Sequence, residues 1–167
     1  VPADFQDLNH LIDGLVEAGQ LVDAQYAFGL GGEVVEAAAF GEATLDSRFC
    51  IFSATKPVFA SLIWWMVDDG RLGLDTRVTD VWPEFGAHGK DTITVEQLLL
   101  FTAGIPNASI GRDEIDSRET RARAMERWEL EWDPGSRYQY HPFSAGWVLS
   151  EIVTRVTGLD HGAALRA

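Results

Sequence analysis

Between residues 4 and 18 apolar side chains recur at helical spacing, with Phe5, Leu8, Leu11, Ile12, Leu15 and Val16 on one side and Gly19 as a stop. The pattern then changes. Ala24 to Leu30 and Glu33 to Phe40 read as two strands around Gly31-Gly32, a hairpin turn. Residues 41–52 connect into a helix that begins at Ser53, carries the apolar run Pro57 to Val67, and ends near Asp69 before Gly70. From Leu72 to Pro83 the chain reads as irregular, with short helical turns. Thr94-Val95-Glu96-Gln97 has the form of a capping box and opens a helix from Val95 to Phe101, which Thr102 to Pro106 breaks. Asp113 to Trp128 reads as one charged amphipathic helix with a solvated face, and Asp133-Pro134-Gly135 as a turn. A last helix, Phe143 to Thr157, carries Trp147, Val148, Ile152 and Val156 on its buried side. Strand signal is thin after residue 40, and a two-stranded hairpin is marginal alone.

Composition narrows this picture. At 167 residues the length is that of one domain, and 46% apolar residues with six tryptophans and nine phenylalanines favour a packed core over disorder. Thirteen basic against 26 acidic residues give a net charge of −13, which repels nucleic acid and anionic membranes, so neither is expected as a partner. The longest apolar run is too short to span a bilayer. No signal peptide is visible; a soluble protein is expected, with cytoplasm preferred and export open because Val1 is compatible with prior trimming. The single Cys50 permits no internal disulfide and reads as a buried structural thiol. His10, His88, His141 and His161 lack ligand spacing, so neither a metal nor an organic cofactor is expected.

The chemistry concentrates at Ser53-Ala54-Thr55-Lys56. A serine hydroxyl is a poor nucleophile until a nearby group removes its proton and its surroundings stabilise the oxyanion. Helix positions i and i+3 share a face, about 5–6 Å apart at Cβ, so Lys56 can fold its amine back towards Ser53. Desolvation by apolar neighbours would let that amine act as a base near neutral pH. In the first helical turn, free backbone N–H groups and the helix dipole favour developing negative charge at Ser53. A capping serine followed by a solvated lysine is the plain alternative. Against it, the chain holds only two lysines, Lys56 and Lys90, and Lys56 lies between the apolar stretches Phe49 to Phe52 and Pro57 to Ala60.

Several segments in order resemble the serine β-lactamase and penicillin-binding protein superfamily, in the branch of class C β-lactamases, D-aminopeptidases and carboxylesterases. Phe52 to Lys56 matches the nucleophile motif, and Asp69 to Asp75 the segment that closes its helix. Thr92 to Leu99 with Phe101 to Pro106 resembles a threonine-leucine-leucine, histidine-threonine-serine-glycine block. Pro134-Gly135, Tyr138 to Tyr140 and Gly146 to Leu149 resemble the stretch bearing the second catalytic motif. The resemblance covers roughly residues 45–160. It implies an α/β (α+β) β-lactamase/transpeptidase-like fold: one catalytic domain over 1–167, with a helix and first strands of an antiparallel sheet in 1–45 and a mainly helical region in 46–167.

By the same resemblance Tyr140 is the phenol that shuttles protons between Ser53, leaving group and water, with Tyr138 the competing candidate. The family's motif is Tyr-x-Asn, and here its Asn position holds Pro142, which has no amide to grip a substrate carbonyl. This favours an esterase over an efficient β-lactamase. His141 is a partial substitute for that grip, or else a surface histidine in a turn. Tyr138, His141 and Pro142 are the candidate substrate contacts. Phe101 stands where the family has His, which reads as a packing change. The family's third motif, Lys-Thr-Gly or His-Thr-Gly, has no match after Tyr140, so the chain reads as a front half with most of the sheet missing.

The expected activity is a serine hydrolase working through an acyl-enzyme, a carboxylesterase on small esters, with Ser53 as nucleophile and Lys56 and Tyr140 as base. Alternatives are a β-lactamase or D-alanyl peptidase acting on an amide, and one piece of a split hydrolase that needs a second chain for the C-terminal half. A non-catalytic binder of peptides or cell-wall fragments is supported only by the Asn-to-Pro change.

Overall fold

The computed structural model describes residues 4–167; the first three residues of the expected 1–167 domain lie outside that range. Two compact units divide at Cys50 and Ile51. In the first, α1 (Gln6–Glu17) precedes an antiparallel hairpin of β1 (Ala24–Leu30) and β2 (Glu33–Phe40). The turn is Gly31-Gly32, with φ of 62° and 86°. Two consecutive positive φ values suit a tight hairpin and demand residues without a Cβ penalty. The register shifts between Phe28 and Gly29. Aromatic packing joins helix to sheet: the Phe5 ring lies 5.3 Å from that of Phe28, and the Tyr26 hydroxyl donates to Asn9 Oδ1 at 2.7 Å. Asp23 ties off the hairpin, its carboxylate accepting from the Glu42 and Ala43 N–H groups.

The second unit is helical. A 3₁₀ turn, Phe52–Ala54, leads directly into α2 (Thr55–Asp68). After it come α3 (Val78–Val81), a pair of 3₁₀ turns over Pro83–Thr92, α4 (Val95–Leu99), α5 (Arg118–Glu126), α6 (Ser144–Thr157) and α7 (His161–Ala164). The core gathers Leu62, Ile63 and Met66 of α2, Trp82, Phe85, Ile93 and Leu98 of the middle segments, and Val148, Ile152 and Val153 of α6. The capping box at Thr94 forms as its sequence predicts: Gln97 N–H donates to the Thr94 hydroxyl, and Thr94 N–H to Gln97 Oε1. On α6, Val148 and Ile152 are buried, while Trp147 and Val156 are only half-buried. The α6 core is joined by Glu151, which is 5% exposed and receives both Arg118 and Arg155.

Four expectations are corrected. Ser53 does not lie in the first turn of the α-helix but in the 3₁₀ turn before it. The helix after Thr94 stops at Leu99, because Phe101 turns to φ 57° and cannot continue it. The expected helix Asp113 to Trp128 splits into a 3₁₀ turn, Arg112–Glu114, and α5. Ser117 causes the split, since its hydroxyl accepts from Thr120 N–H and starts a new helix. Cys50 is exposed, not buried; the residues flanking it, Phe49 and Ile51, are exposed as well. Among the described residues no helix is long and apolar enough to cross a membrane, and no cluster of side chains could hold a metal ion.

The fully buried lysine is Lys90, at 0% exposure, whereas Lys56 is half-buried. The Lys90 ammonium donates to three carbonyls, those of Ala87 (2.6 Å), Glu126 (3.0 Å) and Trp128 (2.5 Å). It thereby fastens the kink at Ala87–Gly89 to the end of α5. Burial outweighs the attraction of Glu126 and Glu129 and lowers its pKa to about 8.

Candidate active site

Ser53 is presented by backbone geometry. Phe52 has φ 44°, an uncommon value for a residue with a bulky side chain, and the chain swings through it into the 3₁₀ turn. The Ala54 N–H closes that turn on the Ile51 carbonyl at 3.0 Å. Three residues on, Lys56 in the first turn of α2 donates its Nζ to Ser53 Oγ at 3.1 Å. The i, i+3 relation holds across the junction of 3₁₀ and α turns because both are right-handed and keep the two side chains on one face.

Tyr140 reaches the same point from a distant segment. Its hydroxyl lies 2.7 Å from Ser53 Oγ, and the Lys56 Nζ lies 5.0 Å from its ring centroid. The Lys56 ammonium, and after it the Ser53 hydroxyl, hold the phenol below the ordinary tyrosine range, against a smaller opposing effect of burial. Tyr138 is 67% exposed. The phenol at Ser53 belongs to Tyr140.

The segment carrying Tyr140 is laid along residues 101–105 by backbone hydrogen bonds. Glu131 N–H donates to the Gly104 carbonyl, Gly135 N–H to Thr102 and Gln139 N–H to Phe101. Gly104 permits this approach: its φ is 82°, and a Cβ there would collide with the Trp132 carbonyl oxygen. Phe101 packs edge-on against Tyr140, with ring centroids 5.1 Å apart, and stacks on His141 at 5.9 Å. The residue in place of the family's histidine is thus a packing support for the phenol.

His141 is not a surface residue. It is fully buried, its Nε2 accepts from the Ile105 N–H at 3.2 Å, and its Nδ1 faces the Gln139 carbonyl at 2.6 Å. An acceptor Nε2 requires the proton on Nδ1, so Nδ1–H donates to Gln139. The Ile105 N–H donated to Nε2 marks a neutral ring, and burial lowers its pKa from the ordinary histidine value. With both nitrogens occupied, His141 has none left for a substrate, and its work is to anchor Tyr140. Sequence reasoning missed this because the partners, Ile105 and Gln139, are backbone groups. Pro142 is half-buried and lines a cavity beside Ser53.

That cavity, of about 710 Å³, lies among α2, the Leu98–Phe101 segment and the start of α6. Ser53 and Lys56 form part of its wall, together with Phe59, Phe101 and Trp147. Nothing in the sequence pattern announced it, since its walls come from four separated segments, the last represented by His161 of α7.

Residues 8–166 match the family model described as Beta-lactamase. The chain is similar to the protein named Esterase/beta-lactamase LipL of Mycobacterium tuberculosis, 33% identical over 123 residues, which are 69% of this chain and 27% of that protein. It superposes on a novel penicillin-binding protein homolog from Caulobacter crescentus with a TM-score of 0.83 and 34% identity, over 97% of this chain and 46% of that one. A family VIII carboxylesterase superposes with a TM-score of 0.82 and 26% identity, over 96% of this chain and 47% of that one. The chain therefore spans about a quarter of the length of the curated relative and just under half of each solved structure.

Proposed function

The chain belongs to the beta-lactamase family, with a β-lactamase/transpeptidase-like fold, and on that premise we propose that it carries the acylating centre of a serine hydrolase acting on carboxylic esters. The observation that carries this reading is the hydrogen-bonded set of Ser53, Lys56 and Tyr140 at 3.1 and 2.7 Å. Ser53 Oγ attacks the ester carbonyl while its proton passes to the Tyr140 phenolate, which Lys56 stabilises. The tetrahedral oxyanion is held in part by the backbone N–H of Ser53. It collapses, the C–O bond to the alcohol breaks, and Tyr140 returns the proton to the leaving oxygen. Water, deprotonated by the same pair, then attacks the acyl-Ser53 ester; the acyl C–Oγ bond breaks, Tyr140 returns the proton to Ser53 Oγ, and the acid leaves.

Pro142 supports an ester in preference to a β-lactam or peptide, because it offers no side-chain amide to hold an acylamino carbonyl. The test is intact mass spectrometry after exposure to a fluorophosphonate, with a short-chain aryl ester and a chromogenic cephalosporin assayed in parallel. One adduct on Ser53 with ester turnover is the expected result. Absence of an adduct on folded protein would overturn the reading, and faster cephalosporin turnover would move it to a β-lactamase.

A second reading, that the centre works only when another polypeptide segment or chain completes the sheet, is favoured by exposed apolar surface. On α2, Val58, Trp64 and Trp65 are each at least half exposed, as are Leu30 and Val34 of the hairpin. Such surface normally faces a partner layer. Native mass spectrometry of the labelled protein tests it: a labelled, well-folded monomer of this chain alone would reject the need for a partner.

A further inference from the structure

We propose that the cavity beside Ser53 is an acyl-chain pocket, with Gly146 in its wall leaving room for the chain, and that the site is selective for esters of apolar, medium-length acyl groups. The inference rests on the serine hydrolase reading above and adds its substrate class.

The cavity's size, about 710 Å³, is in the range that encloses a whole small ligand. Its walls are mostly hydrocarbon, with Phe59, Leu99, Phe143 and Trp147 prominent. Ser150 and His161 also line it, but they are hydrogen-bonded to each other at 2.8 Å and offer little free polarity to a charged chain. Ser53 is part of the wall and Tyr140 is not. The leaving oxygen must lie beside Tyr140 to receive its proton, so the group that enters the cavity is the acyl chain that stays on Ser53.

Gly146 carries the specificity. It lies inside α6, where a glycine is destabilising relative to alanine. No close backbone contact or positive φ explains it: a Cβ built there meets nothing within 4 Å. It does line the cavity. A side chain at this position would occupy the space that its absence leaves for substrate.

The experiment measures kcat/KM on p-nitrophenyl acetate, butyrate, hexanoate and octanoate for the unaltered protein, Gly146→Ala and Gly146→Leu, and octanoate binding by tryptophan fluorescence with acetate as control. For the unaltered protein kcat/KM should rise about fourfold per added methylene until the cavity is full. The octanoyl-to-acetyl ratio should fall on the order of tenfold or more in Gly146→Leu and less in Gly146→Ala. Octanoate should lose affinity in the same order. A flat chain-length profile, or one that neither substitution changes, would overturn the pocket while leaving the hydrolase intact. Octanoate binding that Gly146→Leu removes, in a protein that turns over no ester, would retire the hydrolase and keep the pocket. If Gly146→Leu does not fold, the ratio and affinity in Gly146→Ala decide.

Discussion

The Tyr140 hydroxyl lies 2.7 Å from Ser53 Oγ, although 87 residues of chain separate them. Lys56, only three residues from Ser53, completes the set at 3.1 Å and lies beside the Tyr140 ring. One contact is local and the other depends on the whole helical unit, so the two respond differently to substitution.

Tyr140→Phe keeps the ring that packs on Phe101 and removes only the hydroxyl. Ester kcat should fall by about 10²–10⁴-fold with the fold unchanged, as expected when a general base is lost. Because Lys56 holds the phenol below its ordinary pKa of 10.0, activity in the unaltered protein should rise with pH through an ionisation below that value. A pH–rate profile of both proteins checks this; an unchanged rise in Tyr140→Phe would remove Tyr140 from the base role.

Lys56→Ala should move the Tyr140 ionisation upward, since the ammonium is the largest influence holding it down. Tyrosinate absorbance, read as the difference from a Lys56→Ala, Tyr140→Phe double variant, follows that single group. Lys56→Arg should restore part of the downward shift but less of the activity, because a planar guanidinium does not reproduce a compact ammonium at Ser53. No movement of the tyrosinate titration would count against the coupling.

Gly104→Ala should destabilise the protein by more than about 1 kcal/mol, because φ there is 82° and the new Cβ meets the Trp132 carbonyl. The relief must come from displacing the 131–141 segment that carries Tyr140. Denaturation in urea and ester kcat should fall together, and a stable variant with full activity would contradict this account of how Tyr140 is held.

Lys90→Met should lower stability by about 1–3 kcal/mol, since the Ala87, Glu126 and Trp128 carbonyls lose a charged donor and the last of them is buried. The pH dependence has a definite sign. Lys90 titrates at about 8 in the fold and at 10.5 when unfolded, so between those values the unfolded chain binds more protons. Stability relative to Lys90→Met should therefore increase as pH rises through this window and be lost as pH falls towards 8. Urea midpoints at several pH values between 7 and 10.5 test it.

The hairpin was legible to the residue, because Gly31-Gly32 between two apolar runs encodes its own turn. The capping box at Thr94 was legible for the same reason, its partners lying three residues apart. The helix expected over 113–128 failed at Ser117, where a side-chain cap competed with continuous amphipathic spacing. The burial of Lys90 escaped notice, and His141 was assigned to the surface, because both are satisfied by backbone carbonyls or N–H groups that no side-chain pattern reveals.

Short-range order along the chain was enough to establish most of the elements and the Ser53–Lys56 pair, since each depends on separations of a few residues governed by helix and turn geometry. The resemblance to a family rested on several motifs in order. Tertiary structure brought Tyr140, the tyrosine that the resemblance favoured over Tyr138, to Ser53, and it alone decided that His141 is a buried anchor and that a cavity opens beside Gly146. Those outcomes depend on how distant segments are brought into register. Backbone hydrogen bonds and packing at Gly104 and Phe101 set that register, and neither is written in the spacing of any one segment.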